Sequence, residues 1–304
     1  MPILSAMRKS ICYLVSFITG AIISVMVTFN TESGRITSSE VSLIINQIVG
    51  IITLSLIMVA GRNSATINPP KEDIKWYNHY FGGLFGVCII SLNYISVVGS
   101  GATVAMAGAV FGQSLTGLVF DITGLMGMKQ ERISGRRVAS LTVCFIGILI
   151  YFLGGESINF YLLPSILAGI LTMVQMVYNS RLAKAKGAFY SARMNVLSGL
   201  AGALLYSFIF HAKTTVEGFK ALPDASVPVM LIGGLLACAV VINTNIVIPK
   251  IPAVYSALLL SSGQILTALL IDYVLYDTFE AVLLYGSLVM IAGILLSLER
   301  KISR

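Results

Sequence analysis

The chain is short of charge. Asp, Glu, Lys and Arg make up 11% of its 304 residues, against 57% hydrophobic residues and a mean hydropathy of +0.90. A soluble domain carries roughly 25% charge, and so few charges cannot cover a water-soluble body of this size; the apolar excess must face lipid. Histidine is nearly absent too, with only His79 and His211, both at predicted helix ends, so a histidine metal site is not expected. The four cysteines, Cys12, Cys88, Cys144 and Cys238, each lie inside an apolar run with no CxxC or other metal spacing, and read as small buried hydrophobes. There is no GxxxxGK[ST] loop, which excludes ATP hydrolysis by that route, and no GxSxG or paired carboxylates. No metal or other cofactor is expected.

What is present is a series of apolar runs of spanning length, near 11–30, 41–60, 81–98, 102–124, 138–154, 160–178, 190–210, 229–248, 253–274 and 280–298. The first resembles a signal peptide, with Arg8 and Lys9 ahead of it. It lacks a small-x-small cleavage site, however, and has a counterpart later in the chain, so it is expected to be retained as a helix. The net charge of +7 does not point to nucleic acid, because the basic residues sit in short connections. With the N-terminus inside, seventeen of the twenty Lys and Arg fall on the cytoplasmic side; only Arg35, Lys213 and Lys220 fall outside. That bias predicts an all-α membrane protein of ten transmembrane helices, both termini cytoplasmic.

The chain also repeats itself. Residues 82–121 align with 233–272 at a constant offset, with Gly112, Gln113, Thr116 and Asp121 falling on Gly263, Gln264, Thr267 and Asp272. Matched Gln, Thr and Asp cannot come from shared apolar composition. At an offset of 149, Gly20, Asn30, Asn46 and Gly50 fall on Gly169, Asn179, Asn195 and Gly199. Five helices are thus duplicated, as 1–155 and 156–304. An odd number per copy forces the copies into opposite membrane orientations: two inverted five-helix repeats, an architecture recurrent in secondary transporters with a substrate site at the midplane between the copies.

The stretches FGGLFGVCII with GQSLTGLVFDITGLMG, and IGGLLACAVV with GQILTALLID, resemble the YdcZ-like family of the drug/metabolite transporter superfamily. Members often have five helices and work as pairs; this chain looks like a fused pair, which implies a monomeric ten-helix transporter in a bacterial-type cytoplasmic membrane. It departs from the related small multidrug exporters, whose first helix carries a coupling glutamate at mid-depth. Here Ser24 and Met26 stand at that depth in the first helix, and Met173 and Gln175 in the sixth.

Gln113, Thr116, Gln264 and Thr267 share faces of the fourth and ninth predicted spans. They either line a cavity and bond substrate or glue helices together across the repeat interface. Asn243 and Asn245, with Asn93, are further cavity candidates. Asp121 and Asp272 recur about 12 Å beyond each glutamine, Asp121 towards the cytoplasmic end and Asp272 towards the outer end. They are proton or cation coupling sites or gates, or else interfacial helix-end residues. Asn30, Asn46, Asn179 and Asn195 flank the first connection of each half, where they cap helices or bond across them. Gly82 and Gly86, and the small residues of the fourth span, are expected to serve close packing or hinging. Lys250, between Pro249 and Pro252, is expected as an interfacial anchor in a tight turn, and Trp76, Tyr77, His79 and Tyr80 as an interfacial aromatic cluster. The function expected is a secondary transporter, in the export direction, for a small metabolite or drug-like molecule, with a proton or cation as coupling ion. An integral-membrane enzyme acting on lipid-linked substrates, or an accessory membrane subunit, is the alternative.

Overall fold

The computed structural model describes residues 2–61, 75, 79–128, 130, 135–154, 160–224, 226–276 and 281–297. Trp76, Tyr77, Arg62, Lys71, Lys129, Arg132 and Arg300 to Arg304 lie outside the described residues, as does the side chain of Cys144. Apart from two single 3-10 turns, every regular element among the described residues is an α-helix: α1 (Pro2–Ile36), α2 (Ser39–Ala60), α3 (Phe81–Ser100), α4 (Ala102–Thr123), α5 (Gly135–Gly154), α6 (Leu162–Lys186), α7 (Ala188–Phe210), α8 (Ala212–Lys220), α9 (Val227–Val247), α10 (Ala253–Tyr276) and α11 (Ala281–Ser297). Within lipid the backbone must satisfy its own hydrogen bonds, and a helix does so within one segment.

Among the described residues, eight helices are long and apolar enough to cross a membrane: α1, α2, α3, α4, α6, α7, α9 and α10. Of the ten expected spans, α5 and α11 carry shorter apolar stretches, Val138–Gly147 and Leu284–Gly293. These two pack chiefly on each other, joined to the rest through α4 and α10. Two helices outrun their apolar runs. In α1 the polar turn to Ile36 stays helical, with Arg35 paired to Glu32 at 2.8 Å. In α6 the good helix formers Arg181 to Lys186 continue the helix past residue 178. The short α8 falls in a stretch read as a polar connection. It is amphipathic, and it buries Thr215 and Gly218 against α2 and the residue before it, Ser38.

The order of packing follows the repeat. Helices α1, α2, α3, α4 and α5 match α6, α7, α9, α10 and α11. Helix α1 packs on α9 and α10, and its counterpart α6 packs on α3 and α4; α2 packs on α9, and α7 on α3. Three of the matched pairs, α2 with α7, α4 with α10 and α5 with α11, also pack on each other and run antiparallel. Asp121 of α4 meets Ala253 of α10 while Gln113 meets Gln264. In α5 and α11, Arg136 reaches Leu296 and Ser140 reaches Gly293, with Gly147 against Gly286. In α2 and α7, Gly50 lies on Val196 and Gly199 on Gln47.

The exterior is apolar, and amides are buried together with the apolar core. Leu14, Leu56, Val59, Leu205 and Leu270 are about 60% or more exposed, whereas Gln113, Gln264, Asn179 and Asn46 are buried. The backbones nearly touch at several crossings, among them Gly83 of α3 on Asn195 and Gly199 of α7 and two crossings that the repeat relates. A Cβ on Gly20 would overlap the Leu260 carbonyl and one on Gly263 the Phe17 carbonyl, which joins α1 to α10; Gly112 and Gly169 meet the Ile166 and Ala109 carbonyls in the same way between α4 and α6. Only glycine permits that approach. Gly112→Ala and Gly263→Ala should each cost about 1–3 kcal/mol in thermal unfolding of the detergent-solubilised protein. Gly135→Ala, where a Cβ meets nothing within 4 Å, should cost nothing measurable.

Candidate functional site

The crossings leave a central cavity bounded by α1 to α4 of one half and α6, α7, α9 and α10 of the other. About 110 Å³ of it is open to water centres. One water needs roughly 10–15 Å³ on that measure, so the cavity has room for a small molecule. Its wall is apolar on one hand, with Met26, Met106, Met176, Ile89 and Val240, and amide-rich on the other. No charged side chain lines it among the described residues.

Gln113 and Gln264 stand in that wall, 2% and 1% exposed, with Gln113 Nε2 donating to Gln264 Oε1 at 3.5 Å. The antiparallel pairing of α4 and α10 brings these repeat-matched amides together. The backbone carbonyl of Gln264 also accepts from Ser24 Oγ at 2.5 Å, which ties α1 to α10. The other candidates stand elsewhere. Thr116 Oγ1 donates to Gly112 O at 2.8 Å within its own helix, and neither it nor half-buried Thr267 is among the lining residues. Asn243 Nδ2 donates to Thr19 Oγ1 at 3.1 Å and Asn245 Nδ2 to Ala188 O at 3.1 Å, so these two join α9 to α1 and to the start of α7. Asn93 does line the cavity.

Four asparagines read from the sequence as caps or cross-bonds also line the wall. Each pair sits over a glycine of a facing helix: Asn179 and Asn195 over Gly82 of α3, Asn30 and Asn46 over Gly233 of α9, where a Cβ would overlap Asn179 Oδ1 and Asn30 Oδ1 respectively. Matched serines brace both pairs, with Ser191 Oγ donating to Asn179 O at 2.8 Å and Ser42 Oγ to Asn30 O at 2.9 Å. The pairs differ in one respect. Asn179 Nδ2 donates to Asn195 Oδ1 at 3.0 Å, and Gln175 Nε2 adds bonds to the same oxygen at 3.2 Å and to Gly82 O at 2.7 Å. At the other end Asn46 Oδ1 has no partner among the described residues, and position 26, which matches Gln175, is methionine. A second, smaller cavity adjoins this end, sharing Asn30 and Asn93 and reaching Thr31 and Ser39.

Asp121 is buried, and its two oxygens accept from Ala253 N at 3.0 Å and Val254 N at 2.9 Å. It thereby caps the first turn of α10 from a neighbouring helix, where the orphan N–H groups and the helix dipole both favour a carboxylate. Its repeat mate Asp272 is half-buried in α10. Neither lines the cavity.

The profile of the family described as "Putative inner membrane exporter, YdcZ" matches twice, over residues 11–150 and 160–296. The chain belongs to the YdcZ family. Comparison with curated proteins finds no match. A solved crystal structure superimposes with a TM-score of 0.65 at 17% identity, over 95% of this chain and 96% of that one, a likeness that bears on the fold alone. The double match to the YdcZ profile accords with the repeated halves, and together with the eight apolar helices it describes an integral inner-membrane protein with the repeat built into one chain.

For this YdcZ family member, the sequence signal for the asparagine pairs was the constant offset that relates them. Gln47 and Gln175, which also line the cavity, carry no such signal, because their repeat mates are Val196 and Met26. The cap predicts its own test. Asp121→Ala strands two buried N–H groups, each worth about 1–3 kcal/mol, and should lower the melting temperature in detergent clearly more than Asp121→Asn, which keeps one acceptor.

Proposed function

We propose that this chain is a secondary transporter that exports a small metabolite or drug-like molecule across the cytoplasmic membrane by alternating access. In this reading ten helices cross the membrane as two inverted repeats, 1–155 and 156–304, with both termini cytoplasmic, and the fused pair works as a monomer without a cofactor. The observation that carries it is the unequal state of two matched asparagine pairs at opposite ends of one cavity. The Asn179–Asn195 pair is closed by hydrogen bonds, whereas Asn46 Oδ1 of the matched pair has no partner among the described residues and a second cavity opens beside it. Closing one pair while opening the other exchanges the side from which the cavity is reached. Each buried hydrogen bond is worth about 0.5–1.5 kcal/mol, and making one while breaking another leaves the two states close enough in energy to interconvert.

Three measurements bear on this reading. Fused to the C-terminus, a fluorescent protein that matures only in the cytoplasm should fluoresce, and a periplasm-dependent phosphatase should stay inactive; the reverse result would overturn the orientation. In a cysteine-free background, Thr31→Cys should react with a water-soluble thiol reagent. Adding Met26→Gln, which supplies the missing donor, should slow that reaction roughly fivefold, the factor for about 1 kcal/mol; an unchanged rate would remove the latch. On a solid-supported membrane, any current or isotope flux evoked by a panel of small metabolites should be lost in Gln113→Ala or Gln264→Ala.

A further inference from the structure

Beside the second cavity lies a titratable pair that no part of the site described above uses. Glu40, in the first turn of α2, has its Oε1 3.5 Å from His211 Nδ1; the carboxylate side chain is 8% exposed and the imidazole 40%. Both groups are fixed by helix ends. Glu40 follows the Ser38 cap of α2, where the helix dipole favours a carboxylate. His211 closes α7 and opens α8: its N–H donates to Ser207 O at 2.9 Å and its carbonyl accepts from Thr215 N at 2.9 Å. Gly218 of α8 rests on Ser38 and Val41, and α8 packs chiefly on α2 and α7. Ser39 and Ser42, on either side of Glu40, line the second cavity, and Ser42 Oγ donates to Asn30 O. The first turn of α2 therefore belongs both to this pair and to the Asn30–Asn46 end of the latch. Among the described residues, the surrounding elements bring to this end Glu32 and Arg35 of α1, paired with each other; Tyr94 of α3; Tyr206 of α7, its ring 5.0 Å from the imidazole; Lys213, Glu217 and Lys220 of α8; and Asp224 of the turn after it. Helix α9 brings no titratable group to this end. Of these charged residues Glu40 alone is buried.

We infer that Glu40 and His211 form a proton-operated clamp that favours the arrangement seen here, in which the second cavity stands beside Asn30 and Asn46. Histidine gains its charge between roughly pH 8 and pH 5. A charged imidazole supplies the counter-charge that an uncharged one cannot, and a buried carboxylate makes that attraction stronger than it is in water. Protonation therefore populates whichever arrangement holds the pair together, and its loss releases that arrangement. Closing Asn30 on Asn46 shifts α1 against α2, whereas the clamp ties α2 to α7 and α8 instead. Acid thus keeps this end in its present form, and alkali frees it to close. The inference rests on the alternating-access reading for the link between clamp and cavity, but its measurements need neither cargo nor flux, so silence from the transport panel would sink that reading and leave both readouts below intact.

Two readouts on the full-length protein test the clamp, each comparing the native residue with His211→Gln at about pH 5.5 and about pH 8, either side of histidine's range. Comparing the two chains at the same pH removes the titration of everything else, a reporter thiol included. In thermal melting, His211→Gln should lower the melting temperature at the lower pH and change it little at the higher; an equal loss at both would overturn the pair. In the cysteine-free background with Thr31→Cys, the thiol should react roughly two- to fivefold faster with His211 than with His211→Gln at the lower pH, the factor for a part-exposed ion pair. At the higher pH the two rates should converge. His211→Arg, a fixed cation, should keep the faster rate at both, and Lys213→Gln should leave the profile unchanged. Equal rates at the lower pH, or a His211→Arg chain no faster than His211→Gln at the higher, would reduce the pair to a fixed pin and overturn the switch. Loss of the profile in Lys213→Gln would assign it to that lysine and overturn it too.

Discussion

Two helix crossings set the rest of the structure. Where Gly20 and Gly263 bring α1 onto α10, and Gly169 and Gly112 bring α6 onto α4, backbone meets backbone with no side chain between. Close approach of this kind is how helices associate when lipid is as apolar as the side chains and gives no hydrophobic incentive to pack. Each crossing joins a helix of one half to a helix of the other. The halves are therefore interlocked rather than set side by side, and the space left between the crossings is shared by both.

That shared space explains why amides can lie inside. An unpaired amide in hydrocarbon is costly, so amides persist only where they find one another or open space. Gln113 with Gln264, and Asn179 with Asn195, do the first; Asn46 and Asn93 face the cavity. The carboxylate of Asp121 has been placed differently, spent on the N-terminus of α10, where two backbone donors and the helix dipole make a buried charge tolerable.

Much of this was legible in the residues. Apolar run length located the spanning helices to within a turn or so, and the constant offset of the polar matches exposed the duplication and the Gln113–Gln264 pair. Helix ends were less legible, since hydropathy stops at the lipid boundary while the hydrogen-bonded backbone of α1 and α6 continues beyond it. The amphipathic α8 was hidden by its polar composition. Within the cavity, the asparagine pairs read as caps or as bonds between helices because they stand near connections in the sequence, and Asn179 with Asn195 makes such a bond between α6 and α7. Their position over Gly82 and Gly233 depends on which helices face each other, and no local pattern encodes that. The same holds for Asp121, whose partner is 132 residues away.

Met26 and Gln175 occupy matched places at the two ends of the cavity. In an assembly of two identical five-helix chains, both ends would carry the same residue. The two arrangements would then be degenerate by symmetry, and such a pair could hold no preference for either side of the membrane. Joining the copies in one polypeptide lifts that degeneracy. Under the alternating-access mechanism proposed above, an amide such as Gln175 with no amide at its mate Met26 lets the resting bias between the two arrangements drift under selection by single substitutions.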